Sequence, residues 1–112
     1  MPLTDMTCYF VYITTSEKEE ARKIGQALVD DKLAACANIV DGMESIYRWD
    51  GNIVQDNETV LIAKTTGAKL GALEARVKAL HSYDVPCIVA MPIGFGSPEY
   101  LDWIRRETIN EQ

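Results

Sequence analysis

Runs suited to strands alternate with runs at helical spacing from the start of the chain. Cys8-Tyr9-Phe10-Val11-Tyr12-Ile13-Thr14 is rich in β-branched and aromatic side chains and apolar on both alternating faces. That pattern predicts a central strand rather than an edge strand. Ser16-Glu17-Lys18-Glu19 has the S-x-x-E form of a capping box, with the serine accepting the Glu19 N–H and Glu19 reaching back. Ala21, Ile24 and Leu28 follow at helical spacing as the buried stripe. Asp30 and Asp31 oppose the dipole at the C-terminal end, so the helix is expected to stop there.

Leu33 to Trp49 reads as extended, interrupted at Asp41-Gly42, which marks either a turn or a bulge inside one long strand. Asp50-Gly51 is the stronger hairpin signal, with Ile46-Tyr47-Arg48-Trp49 before it and Ile53-Val54 after it. The polar stretch Gln55-Asp56-Asn57 precedes a second central strand, Glu58 to Thr65. Leu70, Leu73, Val77 and Leu80 then define a second helix, with Glu74 and Lys78 paired at i,i+4 and Pro86 marking the break after it. Cys87-Ile88-Val89-Ala90-Met91 is a last short strand, and Gly94-Phe95-Gly96 is loop. Ser97-Pro98-Glu99 opens a third helix, serine at the N-cap and proline at N1, whose apolar side chains are Tyr100, Leu101, Trp103 and Ile104.

The order is β-α-β-β-α-β plus a terminal helix. This predicts an α+β, ferredoxin-like (split β-α-β) domain: an antiparallel sheet with both main helices on one face, a long hairpin and an extra C-terminal helix. One extended strand from Ala34 to Trp49 would reach on the order of 50 Å at ~3.3 Å per residue. A domain of this length has a radius of gyration of only about 13 Å. The hairpin is therefore expected to project beyond its own subunit. It carries Ile46, Tyr47, Trp49, Ile53 and Val54, which call for a partner surface. The pattern implies an oligomer without fixing its number.

Composition narrows the function. The 112 residues make one domain's worth of chain, 47% hydrophobic and 25% charged, within the globular range. The formal net charge is −6. An acidic chain without a basic stripe argues against nucleic acid and against an anionic membrane surface. No apolar run approaches the roughly 18 residues of a membrane span. The start, Met1-Pro2-Leu3-Thr4-Asp5, shows neither a basic nor an apolar signal region, so the expectation is a cytoplasmic protein. Cys8, Cys36 and Cys87 are odd in number, widely spaced and free of any C-x-x-C, which points to reduced thiols. There is no G-x-S-x-G, H-E-x-x-H or P-loop, and no arginine-bearing phosphate loop after the first strand, so an enzyme is not expected.

Several segments resemble the CutA divalent-cation-tolerance family. They are Lys32 to Ile39 (KLAACANI), Ser45 to Gly51 (SIYRWDG), Leu61 to Thr65 (LIAKT), Val77 to Pro86 (VKALHSYDVP) and Tyr100 to Trp103 (YLDW). Their order and spacing match from about Phe10 to Trp103. The resemblance implies a tight homotrimer with the three sheets at its centre, a response to metal ions, copper binding proposed for some members, and no established reaction. Likeness to PII signalling proteins is at fold level only. Three positions depart from the family pattern. Ile13 stands where several bacterial members carry a proposed copper-ligating cysteine. Ser82 replaces a proline after the histidine and is expected to loosen the turn. Cys87 replaces an acidic residue and adds a soft ligand.

The candidate chemistry has a bland reading beside each sharp one. His81, the only histidine, is either a cap at the helix C-terminus or a metal ligand. Cys36 is either a small core residue or a thiolate ligand for copper or another divalent cation. A thiolate and an imidazole alone do not complete a site, so subunits would have to share one. Cys8 and Cys87 read as strand packing. Lys64 interrupts an apolar strand; it either snorkels or meets a carboxylate such as Asp84 across the trimer, or it binds a small anionic ligand in an inter-subunit cleft. Tyr47, Trp49, Tyr83, Tyr100 and Trp103 either line that cleft or pack in core and interface. Three readings follow: a cytoplasmic trimer in metal homeostasis, a small-ligand sensor, and a scaffold without a small-molecule ligand.

Overall fold

The computed structural model describes residues 5–109; residues 1–4, where the sequence was read for a targeting segment, and 110–112 lie outside the described residues. The order is β1 (Cys8–Thr15), α1 (Lys18–Asp30), β2 (Cys36–Trp49), β3 (Asn52–Thr66), a 3-10 turn (Gly67–Lys69), α2 (Leu70–Leu80), β4 (Ile88–Pro92) and α3 (Pro98–Glu107). The strands form one antiparallel sheet in the order β2-β3-β1-β4. This is the ferredoxin-like arrangement, with β1 and β3 central as their two-sided apolarity predicts.

α1 and α2 cover one face. Ala21, Ile24 and Leu28 of α1 and Leu73 and Val77 of α2 are at most 1% exposed and pack on Val11, Ile13, Leu61 and Ala63. Leu70 and Leu80 of the predicted stripe are only partly buried. Gly25 lets α1 approach the sheet closely, since a Cβ there would stand 3.2 Å from both Ala37 Cβ and Leu61 Cδ1. α3 covers one end of the other face, where Ile104 packs with Cys8 and Ala35 and with the partly buried Leu101 and Trp103.

Three local expectations need correction. Ser16 does not cap α1: Glu17 is the N-cap residue and makes no side-chain cap bond. Instead Glu20 reaches back, its Oε1 accepting both Ser16 N–H and Ser16 Oγ–H at 2.9 Å. The carboxylate thus lies one position beyond the capping-box spacing, and α1 starts one residue later. Secondly, Gln55-Asp56-Asn57 does not separate two strands. It pairs with Ser45 and its neighbours, so β3 runs unbroken from Asn52. Polarity there marks an exposed hairpin arm rather than a loop. Thirdly, Ser97 lies at the α3 N-cap with Pro98 following, but its hydroxyl donates to Glu99 Oε1 at 3.1 Å instead of capping a backbone N–H.

Asp41-Gly42 is a bulge. The register steps from Val40↔Val60 to Met43↔Glu58, three residues on β2 against two on β3. Gly42 holds φ +83°, and Asp41 Oδ1 accepts Thr59 Oγ–H at 2.8 Å and Gly42 N–H at 2.9 Å. The extra residue changes which side chains share a face. Cys36, Asn38 and Val40 alternate onto the face away from α1 and α2. After the bulge, Met43, Ser45, Tyr47 and Trp49 continue on that same face, and Met43 Sδ accepts the Tyr12 hydroxyl there at 3.3 Å. Asp50 (φ 53°) and Gly51 (φ 82°) then close the hairpin in the left-handed conformations of a type I′ turn. The longest axis of the molecule is 46 Å, and among the described residues no helix is long and apolar enough to cross a membrane.

Candidate functional site: a cleft at the base of the hairpin arm

The re-aimed strand and the segment after α2 enclose a cleft of about 590 Å³. Thr14 and Glu58 form its floor, Tyr47 and Trp49 one wall, and Tyr83 and Asp84 the other; Cys87 also lines it. Tyr83 is the joint. Its hydroxyl donates to Glu58 Oε2 at 2.8 Å, and its ring lies 4.7 Å from that of His81. Burial pushes the Tyr83 phenol well above the usual range, and Glu58 pushes the same way by hydrogen bond and charge. Burial raises the Tyr47 phenol too, with Asp56 and Glu58 adding. The Cys87 thiol is raised by burial and then by Glu58. The cleft therefore holds protonated phenols and a protonated thiol around carboxylates.

His81 anchors this wall from behind. Its side chain is fully buried. Nε2 lies 2.8 Å from Thr14 O, which makes that nitrogen the donor, while Nδ1 accepts Tyr83 N–H at 3.0 Å. Both ring nitrogens are thus engaged within the chain. Ser82 does not loosen the turn here: its N–H, which a proline would lack, donates to Glu20 Oε2 at 2.7 Å. Glu20 is raised by burial, but its hydrogen bonds from Ser16 and Ser82 outweigh this and hold it below the usual carboxylate range.

The predicted site residues divide into two groups. Tyr47, Trp49, Tyr83 and Asp84 come together in the cleft. Lys64 and Trp103 lie elsewhere, beside α3. Lys64 Nζ donates to Asn38 Oδ1 at 3.0 Å and sits 5.6 Å over the Tyr100 ring, which in turn packs on Trp103 at 5.5 Å. Lys64 is six residues from Glu58 along β3, about 20 Å at ~3.3 Å per residue. One chain therefore offers no cationic wall to an anion in this cleft. Cys36 belongs to the Lys64 group, its thiol 3.5 Å from Asn38 Oδ1 and 4.0 Å from Tyr100 Oη. Cys36 and His81 are consequently not brought together: Cys36 aligns through Lys64 with Phe10 of β1, whereas His81 holds Thr14. Among the described residues no group of three or more His, Cys, Asp or Glu is placed to hold a metal ion. Sequence reasoning missed Glu58, whose signal was a carboxylate at the start of an apolar central strand.

Comparison with known proteins places the chain. The family model for the CutA1 divalent ion tolerance protein matches residues 9–107. The chain belongs to this family. It is 55% identical over 98 residues to the divalent-cation tolerance protein CutA of Thermus thermophilus, covering 88% of this chain and 95% of that protein. It is 45% identical over 100 residues to the chloroplastic protein CutA of Arabidopsis thaliana, covering 89% of this chain but only 55% of the plant protein. Among solved structures, CutA1 from Oryza sativa superposes with a TM-score of 0.90 at 41% identity, over 97% of this chain and 100% of that one. The Thermus thermophilus protein superposes at 0.89 and 53% identity, over 90% and 98%.

Proposed function

We propose that this CutA-family chain is a cytoplasmic homotrimeric binding protein, without catalytic activity, that contributes to tolerance of divalent cations. What supports the assembly is the surface left bare by a single chain. Ile46 (70% exposed), Ile53 (67%) and Trp49 (55%) stand out on the hairpin arm. Beside them, Val89 and Met91 lie exposed and Phe10, Tyr12 and Ile62 half-buried on the sheet face that α1 and α2 do not cover. Apolar surface of this extent is matched by a second copy far more often than by water. Sedimentation equilibrium at micromolar concentration tests it. The expected mass is three times the 12.5 kDa of the subunit; a subunit mass would reject the assembly.

For the binding role, the cleft at the base of the arm is the favoured site, because Tyr83 joins its two walls to Glu58. Copper enters the proposal through Cys36 and His81, which would have to meet from different subunits, with His81 releasing one of its present partners. An anaerobic Cu(I) competition titration beside Cys36→Ser and His81→Ala decides this point. Tight binding lost in both variants supports those ligands; binding unchanged in both removes them.

A further inference from the structure

Two charges on the sheet face that α1 and α2 leave uncovered have no opposite charge in their own chain. Glu58 and Lys64 both belong to β3 and stand six residues apart, so their side chains share that face, while Leu61 and Ala63 point to the helices. Glu58 is 8% exposed even in the single chain. Its hydrogen-bond donor is the neutral Tyr83 phenol, and no lysine or arginine lines the cleft beside it. Lys64 is half-buried, with the Asn38 amide oxygen and the Tyr100 ring as its partners. Among the described residues no carboxylate pairs with it. About 20 Å separates the two at ~3.3 Å per residue, too far for them to meet within one chain. Val60 and Ile62 lie between them on the strand, flanked by Tyr12 and Phe10 of β1. The face thus has an apolar middle, a carboxylate at one end and an ammonium at the other.

The assembly proposed above closes this face between subunits, which buries both charges further. A buried charge is costly unless an opposite charge meets it. Packing like ends together would bury two charges of one sign. Head-to-tail packing sets the carboxylate end of one copy against the ammonium end of the next, and contacts of that kind close into rings. Asp84 is exposed, where water serves it, so Glu58 is the carboxylate in need of a cation. We propose that Glu58 of each subunit meets Lys64 of the partner subunit, and that this pair sets the head-to-tail order of the ring. The inference rests on the homotrimer proposed above.

The test is a double-mutant cycle read by sedimentation equilibrium over a range of concentrations, with circular dichroism confirming that each variant is folded. Glu58→Gln and Lys64→Met should each raise the concentration of half-dissociation about a hundredfold or more, because each leaves the other charge buried alone. Combined, they should return it to within about tenfold of the native chain. Sites this far apart in one chain act independently, so rescue reports contact between chains. Glu58→Gln keeps an acceptor for the Tyr83 hydroxyl; should Lys64→Met fail to fold, Lys64→Gln replaces it in the cycle. The charge swap Glu58→Lys with Lys64→Glu should assemble where either reversal alone does not. Effects that add in the double variant, or single variants that dissociate like the native chain, would overturn the pair and leave the trimer standing. A native chain that sediments as a subunit would overturn the assembly and the pair with it.

Discussion

Glu20 ties three parts of the chain together. Its side chain is 10% exposed and accepts Ser16 N–H, Ser16 Oγ–H and, from 62 residues away, Ser82 N–H. These bonds favour the charged form strongly enough to outweigh the effect of burial. The sign of the pH dependence follows. A carboxylate whose folded pKa lies below its unfolded value adds stability that is fully present above the unfolded value, 4.5 here, and is lost as pH falls through the folded one. Glu20→Gln should therefore be less stable than the native chain at pH 7, by about 1–3 kcal/mol for hydrogen bonds to a charged group. It should also lose less on acidification. Urea unfolding at pH 7 and pH 3 measures both; an identical acid loss in the variant would show that another group titrates. At this scale the sequence is legible for what is local. Glu20 stands four residues from Ser16, near enough to resemble a capping box one position off. The partners of His81, Thr14 O and Tyr83 N–H, depend on tertiary packing that brings β1 under the end of α2, and no spacing signals that.

Among the elements, β2 contributes most to the site, and it does so through a fault in its own ladder. Were β2 to alternate without a break through Asp41-Gly42, Tyr47 and Trp49 would face the opposite side from Cys36 and Asn38. The bulge is thus what turns a strand into a wall of the cleft. Gly42 sits at φ +83°, and a Cβ added there meets nothing within 4 Å, so Gly42→Ala meets only the left-handed backbone penalty. The expected loss is about 1 kcal/mol, read from the unfolding midpoint. Deleting Gly42 has a different outcome: Asp41 then pairs with Thr59 between the existing Val40–Val60 and Met43–Glu58 pairs, the ladder closes in plain register, and Tyr47 and Trp49 keep their face and partners. The Trp49 fluorescence should then stay that of the native chain, whereas a shift toward that of an indole in water would mean that the arm has slipped by one residue instead. The sequence left Asp41-Gly42 open between turn and bulge because alternation is readable on both sides of it. Only the pairing of Val40 with Val60 and of Met43 with Glu58 decides. By contrast, the Asp50-Gly51 turn, the stripes of α1 and α2 and the two central strands follow from short-range periodicity, and they are where it puts them.

On the scale of the whole molecule, the arm poses a problem that one chain does not solve. Tyr47 and Trp49 point to one side of the hairpin, while Ile46 and Ile53, on the other side, are 70% and 67% exposed. An arm apolar on both sides differs from an amphipathic strand, which needs only one cover. It is built to lie between surfaces, and the 46 Å long axis carries it clear of the helices of its own subunit. Its length was legible from the extended run ending at Trp49; what it lies against was not, since a single sequence holds no coordinates for a second copy. The consequence can be tested at the two isoleucines. Because they are already exposed in the single chain, replacing them with charged residues removes little packing within the subunit. In a trimer the same change buries charge without a partner. Ile46→Lys combined with Ile53→Lys, which stands opposite Arg48, should retain the far-ultraviolet circular dichroism of the native chain at low temperature while sedimenting as a subunit. Its Tm should fall by tens of degrees, because assembly that binds only the folded state makes stability depend on subunit concentration. A double variant that keeps both mass and Tm would show that the arm lies outside the interface and that the bare sheet face alone carries the contact.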